Sequence, residues 1–221
     1  MKSWILLLLN LVSVLLLTAC PATTLPPSAQ LLQINPDLQL GLPTVGPNWV
    51  VSQEVPEALV DETAEHLQHE LEAQGKQVPA EKVLEQARKR LAANELFIYN
   101  PKTGATLTID FSPLRGDESH PRRSTIEQSA EFAAQGLAEE EGLNDVTYSA
   151  SKTSLLGLQY AYRIDANFQK HDAATRFLGV VGFAAPYWCY FYYTDPLQDP
   201  QDFSEMSSLL QEMVVYAGGG K

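Results

Sequence analysis

The sequence predicts an α+β domain built on a mainly antiparallel sheet, and three observations lead there. Residues 95–112 read as a hairpin, with the turn at 101–104 and a second strand that alternates cleanly. Four strand-like runs follow between 145 and 194 with no helix-length segment separating them. Stripes of helical period fall before, between and after these strands, in clusters rather than in strict βαβ alternation.

Taken in order, "PNWVVSQE" suggests a short strand at 48–54. Val60, Ala64, Leu67 and Leu71 then form an i, i+4, i+7, i+11 stripe, and Gly75 suits the end of that helix. A second helix starts with Pro79 at its first position and presents Ala80, Leu84, Ala87 and Leu91. In the hairpin, Ala105, Leu107, Ile109 and Phe111 point one way, and Thr106, Thr108, Asp110 and Ser112 the other. One face of the sheet is therefore wetter. Ser124 with Glu127 has the pattern of a capping box ahead of the stripe Ile126, Ala130, Ala133, Leu137, which Gly142 can end. Strands are expected at about 145–153, 156–168, 175–184 and 187–194. A last helix at about 201–216 can be capped by Asp199 or Asp202 and packs Phe203, Met206, Leu210 and Met213.

The N-terminus has a separate purpose. Lys2 precedes an almost wholly apolar run at residues 4–17, too short for a bilayer core that needs about 20 apolar residues. It has the length of a signal-peptide apolar region. Leu17-Thr18-Ala19-Cys20 resembles a bacterial lipobox, so Cys20 is the expected lipidation site and residues 1–19 the removed signal. Two acyl chains make a stable anchor where one is marginal. Pro21 occupies the place where an aspartate would favour inner-membrane retention, which points to the outer membrane of a cell that has one. Residues 20–47 carry Pro21, Pro26, Pro27, Pro36, Pro43 and Pro47 and read as an extended tether, leaving a single domain at 48–217.

Composition excludes some partners. Fifteen Lys and Arg against 27 Asp and Glu give a net charge of −12, which repels phosphate backbones and anionic headgroups. No nucleic acid is expected, and the membrane contact is through the lipid on Cys20. With Cys20 acylated, Cys189 has no partner for a disulfide. Its aromatic setting suits a buried, inert thiol.

The segments "FIYNPKTGATLTIDF", "GLQYAYRIDANF", "YWCYFYY" and "DFSEMSSLLQEMVV", in that order, resemble the PsbP-like family, including its DcrB-like bacterial lipoproteins. The resemblance implies a PsbP-like α/β/α sandwich with flanking helices on an antiparallel sheet. It also implies binding or assembly roles more than catalysis, and it offers no catalytic motif to carry over. The helical pair at about 57–93 departs from that family's layout and reads as an insertion.

Residue chemistry adds two candidates. Glu62, His66 and His69 share a helix face at a spacing suited to zinc, copper or nickel, although a solvated charged face explains the same pattern. Tyr187, Trp188, Tyr190, Phe191, Tyr192 and Tyr193 suit either core packing or a cleft for a small hydrophobic ligand. No Gly-x-Ser-x-Gly elbow, Walker-type phosphate loop or dinucleotide fingerprint occurs, so neither a catalytic set nor a cofactor is expected. The expected function is that of a non-enzymatic envelope lipoprotein binding another envelope protein as an assembly or stability factor. The alternative is a carrier of a small hydrophobic ligand or a metal.

Overall fold

The computed structural model describes residues 30–140, 142–170 and 173–218. Its strands are β1 (Gln30–Asn35), β2 (Leu38–Leu42), β3 (Val50–Ser52), β4 (Leu96–Tyr99), β5 (Thr106–Pro113), β6 (Leu143–Thr153), β7 (Tyr160–Lys170), β8 (Ala173–Ala184), β9 (Tyr187–Asp195) and β10 (Val214–Ala217). Its helices are α1 (Glu57–Ala73), α2 (Ala80–Leu91), α3 (Arg123–Glu139) and α4 (Pro200–Glu212). Seven strands form one antiparallel sheet in the order β3-β4-β5-β9-β8-β7-β6, and β1-β2-β10 form a second. This is the mainly antiparallel α+β sandwich that the PsbP-like resemblance implied.

The large sheet has two unlike faces because side chains alternate along each strand. On the first face, Leu107, Ile109 and Phe111 of β5 join Cys189, Phe191 and Tyr193 of β9. They form the main core with Leu38, Leu40 and Leu42 of β2 and Met206, Leu209 and Leu210 of α4. On the second face, Ile126, Ala130 and Ala134 of α3 pack on Tyr162, Ile164, Val181 and Phe183. Helices α1 and α2 make a third, separate cluster from Val60, Ala64, Val83 and Ala87.

Local chemistry explains several boundaries. Helix α1 ends in a Schellman motif: Gly75 has φ +70°, Lys76 N–H donates to the Leu71 carbonyl and Gly75 N–H to that of Glu72. Asp199 caps α4 by accepting from the N–H groups of Gln201 and Asp202. Asp202 instead binds the β4–β5 turn, accepting from Asn100 Nδ2 at 3.0 Å and Thr103 Oγ1 at 2.6 Å. This buried bridge ties the hairpin to α4.

Five expectations are corrected. The tether cannot extend to residue 47, because residues 30–42 are paired strands. Leu38, Leu40 and Leu42 alternate into the core, while Asn35 Oδ1 accepts from Asp37 N–H in the turn between β1 and β2. The last helix stops at Glu212, since Val214 to Ala217 pair with β2 rather than continue the stripe. Helix α3 starts at Arg123, with Arg122 at the cap position and no side-chain cap bond, so the Ser124 and Glu127 box does not form. In α2 the buried residues are Val83 and Ala87, and Leu84 is exposed. The expected strand at 156 also begins later, at Tyr160. Gly157 lies in the preceding turn at φ +88°, where a Cβ would fall 1.9 Å from the Val215 carbonyl oxygen.

Because Leu40 is fully buried in the main core, Leu40→Ala should lower stability by about 2–5 kcal/mol in urea unfolding. A residue in a free tether would leave the midpoint unchanged.

Candidate functional site

Strand β9 separates its aromatic residues by alternation. Cys189, Phe191 and Tyr193 enter the main core, whereas Trp188, Tyr190 and Tyr192 stand half-buried on the second face. Register with β5 places Ser112 opposite Trp188, Asp110 opposite Tyr190 and Thr108 opposite Tyr192. The result is a trough floored by one aromatic row and one polar row.

The rings form a continuous platform. Trp188 and Tyr190 lie parallel, with centroids 6.3 Å apart and planes 6° apart, and Tyr190 is followed by Tyr192 at 6.1 Å. Tyr192 leans on Phe177 at 5.6 Å. Gly179 makes room for that pair, because a Cβ there would come within 2.9 Å of the Phe177 ring. Burial raises the Tyr190 and Tyr192 hydroxyls above the ordinary tyrosine range, and neighbouring charge, including that of Asp110, adds to the effect.

The polar row carries the Asp110 carboxylate, and that of Glu95 lies close to it. Glu95, in the bend just before β4, donates its N–H to the Ile109 carbonyl at 2.9 Å and lies near Asp110. Its Oε2 accepts from Phe111 N–H at 2.8 Å, and Ser112 Oγ donates to Asp110 at 3.3 Å. Burial pushes both carboxyl groups up, and the charge of Asp110 raises Glu95 further. Among the described residues neither acid pairs with a lysine or arginine.

Cavities lie at both ends of the trough. One of about 410 Å³ separates the helical pair, at Leu59, Glu62 and Leu91, from Thr108, Tyr192 and Thr194 of the sheet. Glu62 and Lys170 close part of its rim with an ion pair of 2.8 Å. The other, of about 640 Å³, lies over Trp188 between the loop at 114–121 and the start of α3 at Arg122 and Thr125. A third, of about 310 Å³ between α4 and residues 43–49, is on the opposite face. Its Glu205 already accepts from Trp49 Nε1 at 2.7 Å.

The histidine candidates fare differently. Glu62 is engaged by Lys170, while His66 Nε2 lies 3.1 Å from Glu70 Oε1 and 3.5 Å from Glu140 Oε1, so it faces carboxylates of α1 and of the end of α3. His69 has an interaction of its own. Among the described residues no group of three His, Cys, Asp or Glu side chains is arranged to hold a metal ion, so Glu62, His66 and His69 do not converge as one. Cys189 is fully buried, and its thiol is pushed up to about 12 by burial, as befits an inert core cysteine. Cys20 lies outside the described residues. The neighbouring carboxylates of Asp110 and Glu95 were missed in the sequence, although Asp110 within an otherwise apolar-alternating strand was their available signal.

No protein-family model matches the chain, and no curated protein matches it by sequence. Solved structures do. LpqN of Mycobacterium tuberculosis, a protein involved in cell envelope biogenesis, superposes with a TM-score of 0.52 at 13% identity, covering 85% of this chain and 90% of LpqN. The cyanobacterial PsbP protein CyanoP of Synechocystis gives a TM-score of 0.48 at 12% identity over 90% of this chain and 99% of its own. The likeness to LpqN shows a shared fold. Among the described residues no helix is long and apolar enough to cross a membrane.

The raised carboxyl groups give the trough a signed pH dependence. A folded state that holds its protons more tightly than the unfolded chain loses stability as pH rises from about 4, the unfolded aspartate value, through the raised folded value. Asp110→Asn removes that loss, so the variant should gain in melting temperature relative to the parent at pH 7 and gain little at pH 4. An equal change at both pH values would mean that Asp110 carries no such burden.

Proposed function

We propose that this protein is a bacterial envelope lipoprotein, held to the membrane by lipid on Cys20, whose domain binds another envelope protein instead of catalysing a reaction. One observation carries the binding reading: the half-exposed row of Trp188, Tyr190 and Tyr192 in mid-sheet, on strands whose other face is closed by the main core. Aromatic residues left accessible in this way, within reach of water yet backed by a rigid sheet, are the usual anchors of protein interfaces. The lipobox supports the envelope location, with Pro21 favouring an outer membrane where there is one. The involvement of LpqN in envelope biogenesis agrees with that location.

A second reading has its own support. The cavity of about 410 Å³ beneath the helical pair is in the range of small-molecule sites and has Leu59, Leu91 and Tyr192 in its lining. A carrier of a small hydrophobic ligand would use that end of the trough.

Two measurements test these readings on the full-length protein in cells. Cys20→Ala should move it from the membrane fraction to the soluble one, and continued membrane association would remove the anchor from the proposal. A photoreactive residue in place of Thr125, beside Trp188, should capture one recurrent envelope protein. Absence of a captured protein, together with extra small-molecule mass on the purified protein, would replace the adaptor by the carrier.

A further inference from the structure

The geometry points to a cation on an apolar stem, a lysine or arginine side chain of the protein partner, as the group recognised in the trough, between the Asp110 carboxylate and the rings of Trp188 and Tyr190. This inference rests on the binding reading above and names the chemistry of its partner.

Three features converge on that chemistry. Register sets Asp110 opposite Tyr190 and Ser112 opposite Trp188, and Glu95, in the bend just before β4, lies close enough to Asp110 for the charge of Asp110 to act on it. Neither carboxylate pairs with a cation among the described residues, so the negative charge at the floor is left for an incoming group. The parallel rings of Trp188 and Tyr190 then offer faces suited to a guanidinium or ammonium. Elsewhere the chain already uses this contact internally: Arg123 lies 5.4 Å over the Tyr160 ring and Arg176 lies 4.4 Å over that of Phe203. Among the described residues no lysine or arginine lies over Trp188 or Tyr190.

Other occupants fit less well. An anion would meet Glu95 and Asp110. A neutral apolar group would cover two carboxylates without giving them a partner, which is unfavourable in proportion to the burial. Arg122 lines the cleft over Trp188, but Asp117 and Glu118 line it too, so that end does not reverse the sign. A net charge of −12 also steers basic partners toward the surface. A protein segment suits the place better than a free amine. Phe132 is 70% exposed on α3, on the same side of the helix as Thr125 and about 10 Å further along, an apolar contact that a chain segment can reach and a lone amine cannot.

The test uses the whole mature chain with hexa-arginine and its uncharged isostere hexacitrulline as probes, and affinity read by calorimetry. Hexa-arginine should bind at least about tenfold more tightly than hexacitrulline. Asp110→Asn should weaken hexa-arginine by about fivefold or more, and Trp188→Leu similarly. Glu139→Gln, which removes one acidic charge from the far end of α3, should change it less than about twofold. Equal losses in Asp110→Asn and Glu139→Gln, or equal binding of the two peptides, would overturn the inference and leave only diffuse attraction to an acidic protein. If Trp188→Leu fails to fold, Asp110→Asn decides alone. Capture of an envelope partner from cells that is indifferent to Asp110→Asn would also overturn the cation, while the broader binding reading would stand.

Discussion

The pairing of β5 with β9 is the constraint on which the rest of the molecule depends. Eight consecutive residue pairs, from Thr106 opposite Thr194 to Pro113 opposite Tyr187, decide which side chains enter the main core and which floor the trough. With this register, Leu107, Ile109 and Phe111 meet Tyr193, Phe191 and Cys189 on the closed face. A slip by one residue would bury Asp110 and expose Phe111, so core and site cannot be changed independently. The Asp202 carboxylate reinforces the arrangement by gripping Asn100 and Thr103 of the β4–β5 turn from the start of α4. This hydrogen-bonded bridge ties the hairpin to the helix beside the β5–β9 ladder.

Where the sequence was legible, the signal was local and periodic. The β4–β5 hairpin and the strands from β6 to β9 could be read from alternation, and the α1 end from Gly75. What was illegible was completed by distant chain. Prolines 36 and 43 suggested a tether, yet they bracket β2, which has meaning only once β1 and β10 flank it. Val214 and Val215 extend a helical stripe on paper, and only pairing with β2 makes them a strand. The same limit applied to the sites. Spacing placed Glu62, His66 and His69 on one helix face, but Lys170, more than a hundred residues later, takes the Glu62 carboxylate. The aromatic run of β9 was visible, whereas which half of it stays open depends on where α3 and the helical pair come to rest.

The second sheet has a consequence beyond its size. Strand β2 lies between partners from near the two ends of the described chain, and Leu156 bridges to Val214 in parallel. Residues just after the proposed membrane tether are thus bound into the same layer as the C-terminal strand. An anchor on Cys20 would then connect to a firmly paired edge of the domain, leaving the trough on the opposite face of the large sheet and free of the layer nearest the tether. Such a placement keeps the attachment and the proposed binding surface from competing for the same side of the molecule.

The helical pair completes the logic of the site. Its core of Val60, Ala64, Val83 and Ala87 is separate from both clusters on the large sheet. It reaches across to the rest through polar side chains, Glu62 to Lys170 and His66 toward Glu140. Ion pairs near a surface hold position weakly, in contrast to an interdigitated core. A change in the tilt of the pair would therefore leave both sheet-bound clusters intact while altering the width of the cavity above Tyr192. The molecule combines a floor fixed by register with one wall that, among the described residues, is tied to the sheet by its links to β3 and β4 and by ion pairs. The proposed binding surface would then present rigid aromatic anchors and still adjust to the shape of what rests on them.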